Sequence, residues 1–131
     1  MRSFGVAALA TALTDGNEGV QRVALSSVRA SDPKTIEATG KIAASHENWA
    51  IRLLAVQALG RMGAAGNGAL AAKHLQTACT TKEPYALVRE AALRALASFD
   101  PRAGKAAAEQ MLKTEPEPRV KQAAKEVLGA P

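Results

Sequence analysis

The chain has 131 residues, 47 % of them hydrophobic but only 3 % aromatic, with 17 Lys and Arg against 12 Asp and Glu. Its apolar mass is therefore Ala, Leu and Val, which suits helices, whereas a β-sandwich would need more Tyr, Phe, Thr and Ile. The net charge of +5 is spread evenly, +2 over residues 1–66 and +3 over residues 67–131, without a run of like charge, which argues against a basic stripe for nucleic acid.

The first predicted element is a helix over Phe4–Leu13. Met1–Leu13 (MRSFGVAALATAL) also has the outline of a secretory signal, but its charged start is thin and it fits the repeat described below as a structural helix. The expectation is a cytoplasmic chain, with export as the alternative. Its one cysteine, Cys79, allows no intrachain disulfide, and no stretch approaches the roughly 18 apolar residues of a membrane span.

Four later segments align without gaps: Val20–Val28 (VQRVALSSV), Ile51–Leu59 (IRLLAVQAL), Val88–Leu96 (VREAALRAL) and Val120–Leu128 (VKQAAKEVL), at spacings of 31, 37 and 32 residues. In each, places one, four, five, eight and nine trace the apolar stripe of an amphipathic helix, and 19 of these 20 positions are apolar, the exception being Ser27. The fifth place is always alanine (Ala24, Ala55, Ala92, Ala124), small enough for another helix to approach closely. We term these the B helices. Before each lies an A helix: Phe4–Leu13, Pro33–Ala44, Ala69–Thr80 and Pro101–Lys113. Asp32-Pro33 and Asp100-Pro101 read as an N-cap followed by proline in the first turn, and Asn48 as a third cap. Gly60–Gly68 (GRMGAAGNG) lacks the strand and the Lys-Ser/Thr of a phosphate loop, and reads as an elongated, flexible inter-repeat loop. The result is a single all-α domain, a right-handed α-solenoid of four helical hairpins at about 1–30, 31–65, 66–99 and 100–131.

Glu83–Leu96 (EPYALVREAALRAL) and Glu115–Leu128 (EPEPRVKQAAKEVL) resemble the bacterial short HEAT-like repeat of the phycobilisome-lyase type. The resemblance covers nearly the whole chain, most clearly residues 6–29 and 42–129. It implies an acidic residue six positions before the basic residue of each B helix, met by Glu83 with Arg89 and Glu115 with Lys121, but not by Asp15 before Gln21 or His46 before Arg52. The family hosts scaffolds, adaptors, chromophore lyases and DNA-repair proteins, so the resemblance speaks for fold more than for function.

Arg52, Arg89 and Lys121 stand in register. The resemblance implies that each pairs with an acidic turn residue of its own or an adjacent repeat; the alternative is a basic ladder for an acidic partner. Trp49 and Tyr85 stand just before their B helices, as edge anchors for a partner or as plugs of the inter-helix turn. His46 and His74 are 28 residues apart and form no metal-ligand spacing, so no metal and no cofactor are expected. Cys79 has no activating base at helical spacing, which reads as a small buried residue rather than a nucleophile.

The outer side of the B helices lines the concave groove of such a solenoid. Places three, seven and ten put there Arg22, Ser26, Arg29, Leu53, Gln57, Glu90, Arg94, Gln122 and Glu126. The expected function is a non-catalytic scaffold that receives a partner peptide or helix on this face. Alternatives are nucleic-acid backbone binding through Arg22, Arg29, Arg61 and Arg94, or an accessory subunit of a chromophore lyase. The uncharged helix over residues 4–13 is expected to contact a second copy, upstream repeats or the partner.

Overall fold

The computed structural model describes residues 11–28 and 32–130. All regular secondary structure among them is helical. After a helical stretch at 11–13 come α1 (Glu18–Ser27), α2 (Pro33–Ser45), α3 (Trp49–Ala65), α4 (Gly68–Ala78), α5 (Ala86–Phe99), α6 (Pro101–Thr114) and α7 (Pro118–Gly129). The B helices are α1, α3, α5 and α7, and each packs on its neighbour in the series, α1 on α3, α3 on α5 and α5 on α7. The chain is a solenoid of helical hairpins.

The predicted starts hold because their caps form. Asp32 accepts from the Thr35 N–H at 3.0 Å and Asp100 from the Ala103 N–H at 3.0 Å, each with proline following. Asn48 accepts from the Ala50 N–H at 2.9 Å, and Asn17 caps α1 in the same way through the Val20 N–H at 3.1 Å. All four place-five alanines are fully buried, as are the place-one Ile51, Val88 and Val120.

Gly60–Gly68 corrects the expected loop. α3 continues through Gly60 and Gly63 to Ala65, and the joint is only Gly66-Asn67, where Asn67 takes a left-handed φ of 49°. Those two glycines serve close packing. A Cβ on Gly60 would stand 2.9 Å from the Ala95 Cβ, and one on Gly63 would enter the Phe99 ring. Without side chains there, α5 lies directly against the second half of α3. The longer 37-residue spacing is thus mostly extra helix.

Place six decides how the stack ends. Leu25, Val56 and Leu93 hold it in the first three B helices and are fully buried; in α7 it is Lys125, exposed. Place six of α7 is therefore charged and exposed where that of the other B helices is apolar and buried. The expected contact of residues 4–13 falls mostly outside the described residues; Ala12 and Leu13, at its end, are buried in the core of this chain.

Candidate functional site

The turns before α3, α5 and α7 each carry a polar side chain that bonds place two of the preceding B helix. Glu83 accepts from the Arg52 Nε, at 2.8 Å to Oε1 and 3.1 Å to Oε2. Glu115 holds Arg89 bidentately, Nε to Oε1 at 2.7 Å and Nη2 to Oε2 at 2.8 Å. Each arginine also reaches back to its own turn, Arg52 Nη1 donating to the His46 carbonyl at 2.7 Å and Arg89 Nη1 to the Glu83 carbonyl at 2.8 Å. Both pairs are buried. Burial alone would raise the Glu115 pKa, but the Arg89 guanidinium and the Glu117 N–H hold it below the ordinary carboxylate value. The bond to Glu115 raises that of Arg89 in turn.

The first rung of this ladder carries no ion pair. Gln21 replaces the arginine and His46 the glutamate. The His46 Nδ1 accepts from the Asn48 N–H at 3.0 Å, which leaves the proton on Nε2 to bond the Gln21 Oε1 at 3.1 Å. Gln21 then donates to the Leu13 carbonyl at 3.2 Å. Arg52 and Arg89 are thus structural, as the resemblance implied, but the pairing runs between repeats. Lys121, the fourth in register, is exposed, and no hydrogen bond or ion pair holds it among the described residues.

The predicted groove residues fall into two groups. On the C-terminal side they are tied to one another. Glu90 accepts from the Arg119 Nε at 2.6 Å and the Arg94 Nε at 3.3 Å, Arg94 bonds Glu126 at 2.9 Å, and Gln122 reaches Glu126 at 3.5 Å. The bond to Arg94 lowers the Glu126 pKa, and the bond to Glu126 raises that of Arg94. On the other side, Leu53 and Gln57 of α3 face Leu87, Glu90, Ala91 and Arg94 of α5 across a hollow of about 360 Å³. Leu87, which places three, seven and ten do not include, is 41 % exposed. It stands one residue before the apolar stripe that begins at the fully buried Val88. Arg22 and Ser26 are exposed on α1; Arg29 lies outside the described residues.

Trp49 and Tyr85 come together, stacked at 5.4 Å between centroids and 17° between planes. The Arg52 guanidinium carbon lies 5.6 Å from the Tyr85 centroid, within cation–π range. Trp49 packs against the core, while Tyr85 is 46 % exposed.

Other candidates resolve into structure. His74 bonds Glu37 at 3.1 Å, and no group able to hold a metal ion exists among the described residues. Burial pushes the Cys79 thiol up to about 12, the opposite of an activated nucleophile. Arg61 donates to the Leu25 carbonyl at 2.6 Å and Arg94 is held by two carboxylates, so two of the four cations considered for a phosphate backbone are already engaged. No described helix is long and apolar enough to cross a membrane.

A family profile described as HEAT repeats matches residues 6–97. No curated protein matches the chain. No solved structure matches it either.

Proposed function

The chain belongs to the HEAT-repeat family, whose repeats mediate protein–protein interaction, and on that premise we propose that it is a scaffold module whose groove between α3 and α5 receives a peptide or helix of a protein partner. One observation carries this reading: a hollow between α3 and α5, lined by Leu53, Leu87 and Ala91 together with Gln57, Glu90 and Arg94, opens where Glu90, Arg94 and Glu126 are mutually paired. An aliphatic or aromatic anchor of the partner fills the hollow, and Tyr85, exposed just before α5, is the kind of aromatic that concentrates binding energy. Gln57 and Glu90 supply hydrogen bonds at the rim. The chain works by binding, and none of its polar groups is asked to act on a substrate.

A photo-crosslinker tests this. Installed at Gln57, in the groove, it captures a defined protein from the source cell's extract; installed at Lys73, on α4, it does not. Leu87→Asp abolishes the capture while the melting temperature stays put. Equal capture from both positions, or capture indifferent to Leu87→Asp, would place the partner elsewhere.

A further inference from the structure

The two ends of the stack differ in a way the groove does not explain. At the C-terminal end place six of α7 is the exposed Lys125. At the other end, α1 presents Val20 at 39 % and Val23 at 57 % exposure, although the same two places are fully or partly buried in α3, α5 and α7. These are the places that face the preceding repeat, as the contact of Gly60 with Ala95 at place eight of α5 shows.

Beside these valines stands Asp15, at the turn position held by His46, Glu83 and Glu115 in the later repeats. Its Oδ1 accepts from the Asn17 N–H at 2.8 Å, the same bond to the second residue on that fixes His46 through Asn48 and Glu115 through Glu117, each at 3.0 Å. At the other three turns the side chain in this position bonds place two of the preceding B helix. Asp15 is held in the same pose, exposed, and no donor from another helix meets it. With Glu18 it makes an acidic corner on a chain of net charge +5.

We propose that the open side of α1 is a docking surface for a basic amphipathic helix of a second polypeptide, which seats aliphatic side chains on Val20 and Val23 and an arginine or lysine on Asp15. Charge complementarity selects this occupant: the rung lacks only its cation, and every filled ionic rung takes that cation from a helix that also contributes a buried aliphatic at place six. Another copy of the chain, added head to tail, fits badly. It would bring Lys121 to Asp15 but would press the charged place-six Lys125 against the valines. The surface is separate from the groove, so either can fail alone.

The probe is a labelled, helix-stapled peptide of residues 86–99, the chain's own rung donor, which carries Arg89 and Leu93. Titrated onto the whole protein, it binds saturably. Val23→Glu weakens binding by about tenfold or more, and Asp15→Asn, which keeps the acceptor and removes the charge, by about three- to tenfold, a range corresponding to one partly desolvated charge pair. Arg89→Gln in the peptide costs as much against the wild type and nothing against Asp15→Asn. Leu87→Asp in the protein changes nothing here, and unaltered melting shows that the variants are folded. Lack of saturation by about 1 mM, the weak limit of specific recognition, overturns the proposal. So does binding indifferent to both Asp15→Asn and the peptide's Arg89→Gln. Sedimentation of the protein alone covers the remaining occupant: a dimer abolished by Val23→Glu would give the face to a second copy and overturn the assignment to a foreign helix.

Discussion

The first and third rungs of the ladder solve one problem with opposite chemistry. Between α1 and α3 the turn is joined by a neutral amide and a neutral imidazole, Gln21 and His46. Between α5 and α7 it is joined by a buried bidentate ion pair, Arg89 and Glu115. The helices they connect differ in the same sense: α1 leaves two valines in solvent, whereas α7 ends the stack in lysines. The backbone template of the repeat therefore tolerates either filling. What the filling sets is how much energy the joint stores and whether that end needs another molecule.

Deleting one partner from each rung separates the two chemistries most sharply. Arg89→Ala leaves the Glu115 carboxylate buried without its counter-charge, which costs about 3–5 kcal/mol. Gln21→Ala removes neutral hydrogen bonds and costs about 1 kcal/mol. Urea denaturation of both variants checks the ratio. Equal losses would mean that the ion pair contributes no more than the neutral rung, and the contrast between the halves would fall.

Packing provides a control that ignores charge. Ala92 is fully buried where α5 meets its neighbours, so Ala92→Leu costs about 1–3 kcal/mol by overpacking, visible as a lower melting temperature. Ala24→Leu, equally buried but in the half with an open side, falls at the lower end of that range because α1 has room to shift. A neutral Ala92→Leu would contradict the close approach that the place-five alanines provide.

Acid acts on the third rung through its carboxylate. The folded state holds the Glu115 pKa below its ordinary value of 4.5, so the folded protein binds that proton less readily than the unfolded chain. The stabilisation is fully present above that value and is lost as pH falls through the lower folded one. Stability should therefore drop on titration below about pH 4.5, over a window set by Glu115, and Glu115→Gln should flatten that part of the curve. An unchanged slope in Glu115→Gln would assign the acid loss to other carboxylates.

Much of this was legible beforehand because it follows from local rules. Alternation of A and B helices, the caps at Asp32, Asn48 and Asp100, and the burial of the place-five alanines all come from periodicity and capping, which act within a few residues. Three features were not legible. Gly60 and Gly63 read as breakers because their use is to admit Ala95 and Phe99, which are more than 30 residues away in sequence. The partner of Glu83 was left open between its own and an adjacent repeat, since spacing alone cannot tell which way an arginine turns. Leu87 was passed over because it stands just before the apolar stripe, and its exposure depends on how far α3 and α5 separate. Of the predicted groove residues, Arg22 and Ser26 stand in solvent, while Glu90, Arg94, Gln122 and Glu126 turn out to satisfy one another.

The smallest effect on stability carries the most information about the two ends. Exchanging their surface chemistry alters almost no internal contact: Val23→Lys places a charge where a side chain is already more than half exposed, and Lys125→Leu places an aliphatic where a lysine now meets water. Each should change the unfolding free energy by less than about 0.5 kcal/mol, as surface substitutions do. Association should move in opposite directions. Val23→Lys gives the first repeat a charged end like that of α7 and lowers the protein's tendency to bind helices or apolar dyes there. Lys125→Leu restores the place-six residue that Leu25, Val56 and Leu93 use for stacking, so the last repeat acquires an open end and the protein self-associates at concentrations where the wild type does not. Light scattering across a concentration series reads both variants on one instrument. If Lys125→Leu stays as monodisperse as its parent, one lysine is not what closes the stack, and the asymmetry of the ends must be sought in Lys121 and the carboxy-terminal turn instead.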